Sequence, residues 1–430
     1  MRLELGLIYI KDIQLAGKTE VKHGVLYVDR YEAAKAAHGG DDRIHSVEVF
    51  LARPGESVRI LPVKDVVEPR VKVAGPGSGL FPGFVGGVEQ AGSGRTHVLK
   101  GAAVVTTGRI LGFQEGIIDM TGPGAEYTPF SKTNNIVLQV RPARGLKAHD
   151  RETAMRLAGL RAASYLGQAA KELQPDELRV YETKPLLEQT AEYPGLPKVV
   201  YTYMLQTQGL LHNTFYYGVD VKQMVPTFMY PTEVMDGAIV SGNCVSACDK
   251  NPTYIHQNSP VIEELYAEHG KSLNFIGCVI TNENVTLMDK ERSSNMTAKL
   301  VEFLGADAAI ISEEGFGNPD ADLVMNCNKI EKLGVKTVLI TDEYAGQDGA
   351  SQSLADSTPL GNACVTAGNA NEVITLPPME DVIGYPEFAN VIAGAWAGSL
   401  QPDGSITAEI QVITGATNEL GFGYLTAKGI

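Results

Sequence analysis

From about residue 259 onward the chain alternates helix-forming and strand-forming segments, and this alternation restricts the folds open to it more than any other feature. Ser259 followed by Pro260 marks a helix start, because a serine oxygen can accept the first free N–H groups and proline suits the first helical position. That helix closes near Gly270, and the apolar run 275–280 then reads as a strand. A helix over 289–304 stops at Gly305, 308–311 is a short buried strand, 320–333 is a helix ended by Gly334, and 335–340 is another strand. Strands separated by helices pair in parallel through right-handed crossovers, which predicts a small doubly wound domain over 259–430. Ligands of such sheets sit beyond the carboxyl ends of the strands. Those ends carry Glu283, the pair Glu313 and Glu314, and Asp342. Glu313, Glu314 and Asp342 are thus candidates to meet a ligand or partner; for the loop that opens with Glu313 and Glu314 the alternative is an ordinary acidic surface loop.

Upstream, residues 1–145 are punctuated by Gly and Pro and carry short β-branched runs at 24–28, 46–50 and 135–140, the pattern of a β-rich region. Ala74-Gly75-Pro76-Gly77-Ser78-Gly79 has the look of a phosphate loop, but no Lys-Ser or Lys-Thr follows and no helix pattern opens behind it, so it reads as a plain loop. Between 146 and 258 lies an α/β region. Leu157, Leu160, Ala163, Leu166, Ala169 and Leu173 recur at helical spacing until Gln174-Pro175, and a strand candidate follows at 198–205. The expected fold class is therefore α/β, with a β-rich N-terminal region, a mixed α/β middle and a small parallel-sheet domain at the end.

Net charge bounds the partners. With 36 basic against 51 acidic residues the formal charge is −15, which opposes binding to nucleic acid or anionic lipid. No apolar run is long enough to span a bilayer, and the opening Met1-Arg2-Leu3-Glu4-Leu5 lacks the layout of a signal peptide, so a cytoplasmic location is expected. Five cysteines, Cys244, Cys248, Cys278, Cys327 and Cys364, are too few for a disulfide scaffold and fit a reducing compartment.

The richest chemistry lies in Ser241-Gly242-Asn243-Cys244-Val245-Ser246-Ala247-Cys248. A thiol directly follows Asn and Gly, and glycine's conformational freedom can present the next peptide bond in strained geometry beside a nucleophile. Attack of the Cys244 sulfur on the Asn243 carbonyl would give a thioester and break the backbone. Elimination at residue 244 followed by hydrolysis would leave a pyruvoyl group, an electrophile that no side chain provides. Three other readings stay open on spacing alone: a buried structural cysteine, a Cys-x3-Cys redox or metal pair with Cys248, and a cysteine freed as the N-terminal nucleophile of a hydrolase. Two cysteines do not complete a tetrahedral site, so no metal is expected, nor any nucleotide. Cys248 can polarise the junction or simply pack. His212 and His256 are candidates for proton transfer, since imidazole titrates near neutrality.

The segment from Gly242 to Asn251, together with Met1-Arg2-Leu3-Glu4-Leu5-Gly6, Ile10-Lys11-Asp12, His212-Asn213-Thr214-Phe215-Tyr216-Tyr217-Gly218 and His256-Gln257-Asn258-Ser259-Pro260, resembles the self-processing subunit of protein B of glycine reductase, a family shared with sarcosine and betaine reductases. The resemblance runs over the whole chain, and the D-proline reductase subunit has a similar cleavable cysteine. It implies scission between Asn243 and Cys244, giving residues 1–243 and a pyruvoyl-headed fragment 244–430. It implies an oxidoreductase of anaerobic amino-acid fermentation, active only within a complex. That enzyme would deaminate glycine reductively to acetyl phosphate and ammonia, with thioredoxin as ultimate reductant. The implied partners are a selenocysteine-containing subunit of protein B, selenoprotein A and protein C, with a small amino acid as substrate. Glycine, sarcosine and betaine all present a carboxylate and differ in N-methylation, so a sarcosine- or betaine-specific member is the alternative within the family.

Overall fold

A computed structural model describes residues 1–76, 80–110, 112–242 and 246–420 of the chain. The expected strands appear where β-branched and aromatic residues cluster. Six strands form the principal N-terminal sheet, in the order Gly116–Asp119, Val58–Val67, Ala102–Gly108, Asn134–Pro142 and Ile44–Ala52, with Asp381–Gly384 paired in parallel to Val58–Val67. A second sheet orders Glu177–Glu182, Arg2–Tyr9, Gly94–Lys100 and Arg70–Ala74. Across the first lies the helix Ala148–Gly167, whose Met155, Ala158 and Leu166 share a core with Val104 and Leu138. This helix ends earlier than its apolar spacing suggests. A Cβ on Gly167 would stand 1.9 Å from the Arg70 carbonyl oxygen, so here the chain closes onto the neighbouring strand and continues as a short 3-10 turn over Gln168–Ala170.

The parallel sheet also forms as the alternation requires. Asn274–Asn282, Ala308–Ser312, Lys336–Glu343 and Cys364–Asn369 are parallel strands, and the helices Leu287–Phe303 and Asn318–Glu331 link the first three. Their boundaries follow local chemistry. Thr286 caps the first helix by accepting from the Asp289 N–H, and Gly305, in a left-handed conformation, ends it. Ser259 caps Pro260–Glu268 in the same way.

The middle of this sheet comes from upstream. Lys198–Leu205 lies between Asn274–Asn282 and Ala308–Ser312, parallel to both, so the sheet crosses the boundary expected at residue 258. The second parallel strand in sequence thus sits on one side of the first and the third on the other, which creates a topological switch point at the carboxyl ends of Lys198–Leu205 and Ala308–Ser312. Alternate residues of the central strand serve two cores: Val200 and Met204 pack with Val301 and Leu323 of the helices, while Tyr201, Tyr203 and Leu205 join the core shared with Leu3, Leu5 and Val98. Residues 370–420 leave the sheet and return to the N-terminal region, where Leu376, Ile410 and Val412 pack with Leu61 and Ile117. Arg59 fastens this return. Buried, it pairs with Asp119 at 2.6 Å and donates to the carbonyls of Pro377 and Gly404. Among the described residues no helix is long and apolar enough to cross a membrane.

Candidate functional site

Residues 243–245, and with them Asn243 and Cys244, lie outside the described residues. Both flanks are firmly held. Upstream, Ile239–Val240 pairs with Phe215–Tyr216, and the Ser241 N–H donates to Thr253 Oγ1, which donates to Asp65. Gly242 is pressed against the chain at Asn213 and Thr214: a Cβ here would stand 2.2 Å from the Asn213 carbonyl carbon. Its backbone is not left-handed. The expectation of a special glycine conformation is therefore corrected: it is the missing side chain, not φ, that the fold requires. Downstream, Ser246 shares hydrogen bonds with Tyr344 and Gln411, at 2.6 and 2.9 Å, and the Ala247 carbonyl accepts from the Gly415 N–H.

His256 stands on the short helix Thr253–Gln257 and is wholly buried. Its Nδ1 is 2.6 Å from the Tyr203 hydroxyl, and its Nε2 is 3.4 Å from Glu314 Oε1 without hydrogen-bond geometry. Glu314 is fixed from the other side, where its Oε2 accepts from the Gln206 N–H at 2.7 Å and from the Thr214 hydroxyl at 3.0 Å. Thr214 is one of the residues against which Gly242 packs. A Tyr203–His256–Glu314–Thr214 series thus runs through the protein at the switch point and reaches the backbone immediately before Asn243.

Carboxyls crowd the same edge. The Glu314 N–H donates to Glu283 Oε1 at 2.6 Å, and the Thr341 hydroxyl donates to Glu313. Burial pushes Glu283 and Glu313 well above the usual carboxylate range, reinforced by Glu314 and by Asp320 respectively. Asp342 and Glu419 are raised likewise, by burial first and then by neighbouring acids. Asp342 is not grouped with Glu314 but with Asp249 and Glu419.

Cys248 is fully buried among Leu61, Ile117 and Ile410, and burial, with Asp249 and Asp342 nearby, pushes its thiol up. His212 belongs to a different cluster. Its Nε2 lies 3.3 Å from Glu152 Oε2, and burial lowers the imidazole although Glu152 opposes that. Burial would raise Glu152, but Arg156, Lys64 and His212 outweigh it and hold the carboxyl at about 2. The fold brings His256 and Glu314 together and places His212 in the separate cluster with Glu152. Tyr203, Thr214 and Glu419 escape a sequence reading as site residues, whereas Glu283 is visible there as an acid at a strand end. An aromatic hydroxyl within an apolar strand was the one visible signal, at Tyr203.

The model of the family "Glycine/sarcosine/betaine reductase component B subunits" matches residues 1–428. The chain is 64% identical over 429 residues to the "Glycine reductase complex component B subunits alpha and beta" of Peptoclostridium acidaminophilum, and 58% identical over 428 residues to that organism's "Sarcosine reductase complex component B subunit alpha"; each alignment covers 100% of both chains. A more distant likeness, 24% over 356 residues, covers 76% of this chain and 53% of the "D-proline reductase proprotein PrdA" of Acetoanaerobium sticklandii. No solved structure matches the chain.

Proposed function

Because the chain belongs to the family of glycine/sarcosine/betaine reductase component B subunits, and so serves a reductase as one component of a multi-subunit complex, we propose that it supplies that reductase with a pyruvoyl group made from its own Cys244. The observation that carries this reading is the clamping of Gly242 against Asn213 and Thr214, with Thr214 bonded to Glu314 and Glu314 beside His256. A scissile bond flanked by rigid backbone, with a buried imidazole two residues' contact away, suits an acyl transfer that needs positioning and a proton carrier.

The Cys244 sulfur adds to the Asn243 carbonyl carbon, the C–N bond breaks, and the nitrogen of residue 244 takes up a proton. The product is a thioester between the Asn243 acyl group and the Cys244 side chain. Loss of the Cα proton of residue 244 then expels the thiocarboxylate of Asn243 and leaves dehydroalanine. Its enamine tautomerises to an imine, water adds, and ammonia departs, so fragment 244–430 begins with a ketone. His256 moves protons in these steps. Tyr203 and Glu314 orient its ring from opposite nitrogens.

This ketone would serve as the electrophile for a substrate amine, and attack of a partner subunit's selenocysteine on the substrate's α-carbon would form a Se–C bond as the C–N bond breaks, the nitrogen keeping the electron pair. The partners are then the selenocysteine-containing subunit of protein B, selenoprotein A and protein C, with thioredoxin as reductant, in the cytoplasm of an anaerobe. Glycine is the favoured substrate, in line with the relative of 64% identity; the secondary amine of sarcosine could also add to a ketone, whereas a quaternary nitrogen has no lone pair to do so. Glu313 and Glu314, directly after Ala308–Ser312, offer carboxyl oxygens that can accept hydrogen bonds from the ammonium. The test is intact mass spectrometry of the chain in active complex. Wild type should give two fragments, with 244–430 blocked by a carbonyl that borohydride reduces, and Cys244→Ala should remain one chain.

A further inference from the structure

Asp249, Asp342 and Glu419 come from three distant parts of the chain: the loop after Cys248, the carboxyl end of a parallel strand, and the segment that returns to the N-terminal sheet. One oxygen from each lies within 4.8 Å of the other two, and all three residues are buried. Like charges so close, away from water, are costly unless a proton or a cation stands between them. The leading charges that act on Asp342 and Glu419 come from acids.

The hydrogen bonds of these two residues are lopsided. Asp342 Oδ2 accepts from the Thr417 hydroxyl at 3.4 Å and Glu419 Oε1 from the Gly315 N–H at 2.9 Å, so both carboxylates are held on one side. Among the described residues, Asp342 Oδ1 and Glu419 Oε2 have no hydrogen-bond donor, although both side chains are closed to solvent. Buried acceptors are ordinarily satisfied, and one left bare is destabilising. Glu313, which also acts on Asp342, has a bare, buried oxygen of its own in Oε2.

We infer that Asp249, Asp342 and Glu419 form a binding site for one hard divalent cation. An all-oxygen, carboxylate-rich set selects Mg²⁺, Ca²⁺ or Mn²⁺ over metals that prefer nitrogen or sulfur. Such an ion would give the bare oxygens a partner and offset their repulsion. It would also tie Asp249, five residues beyond Cys244, to the sheet and to the returning segment, holding the chain that begins at the new terminus. The site rests on the described carboxylates alone and stands or falls apart from the pyruvoyl reading.

The test takes the full chain, strips it with EDTA, dialyses it against millimolar MgCl2, CaCl2 or MnCl2 in turn, and measures bound metal and Tm. Wild type should retain one equivalent of at least one of the ions and melt several degrees higher with it, as expected for a ligand bound only by the folded state. Asp342→Asn and Glu419→Gln should each lose both the metal and the shift, while the surface variant Glu264→Gln keeps them. No bound ion in wild type with any of the three salts overturns the inference, whatever the variants do. So does stoichiometric binding that survives both substitutions.

Discussion

The Thr214 hydroxyl donates to Glu314 Oε2 at 3.0 Å, joining segments 100 residues apart in sequence. Thr214 touches the glycine before Asn243 and Glu314 touches His256, so this single bond couples the parallel sheet to the junction. Replacing Thr214 with Val keeps the shape and removes the bond. Processing should slow by about tenfold, in keeping with roughly 1.5 kcal/mol for a hydrogen bond to a charged group. A time course on denaturing gels measures it, and a wild-type rate would count against the coupling.

His256 should matter more. As a proton carrier it is worth about 10²–10⁴-fold, so His256→Ala should leave the chain largely uncut over times in which wild type is complete. Tyr203→Phe, which removes only an orienting contact, should fall between the two. Equal loss in both variants, accompanied by a lowered Tm, would point to packing instead.

Gly242→Ala tests the close approach. The added methyl meets the Asn213 carbonyl, and overpacking of this kind costs about 1–3 kcal/mol. Both Tm and the processing rate should drop. A variant as stable and as quickly cut as wild type would show that the clamp is loose.

The buried Glu283 carboxyl carries a pH signature. Burial, then Glu314, raises its folded pKa above the unfolded value of about 4.3. The folded state therefore binds the proton more tightly, and the favourable contribution is complete below about pH 4.3 and is lost as pH rises through the folded pKa. Glu283→Gln keeps an acceptor for the Glu314 N–H and removes the titration. It should be more stable than wild type at pH 8, by about 1.4 kcal/mol per unit of pKa elevation, with the gap closing towards pH 4. Denaturant melts across that range decide it, and a variant less stable at pH 8 contradicts the assignment.

Asp119→Ala strands the buried Arg59 guanidinium without its carboxylate. Breaking such a pair costs about 3–5 kcal/mol, and the loss should appear as earlier protease cutting in residues 370–420, which Arg59 fastens through Pro377 and Gly404. Unchanged protection would mean that the apolar contacts of Leu376 and Ile410 suffice.

Local chemistry made much of the fold legible. Ser259-Pro260, Gly305 and Gly334 announce helix ends, and the strands between them have no other role open. The central strand Lys198–Leu205 could be read as a strand but not as the middle of that sheet, because pairing over more than 70 residues leaves no local trace. For the same reason Glu419 had no visible connection with Asp249 or Asp342. The acids at strand ends were found through topology, whereas Gly242 was read for conformational freedom when the fold uses its lack of a side chain. His212 and His256 looked equivalent in sequence; only the packing of Tyr203 and Glu314 separates them.

The central claim is that residue 244 ceases to be a cysteine. Intact and peptide-level mass analysis of this chain, taken from complex that is turning over substrate, tests it most directly. The expected result is a fragment 244–430 whose first residue is a pyruvoyl group, shifted by two hydrogens on borohydride treatment. A continuous chain, or a fragment that starts with unmodified cysteine, would contradict it.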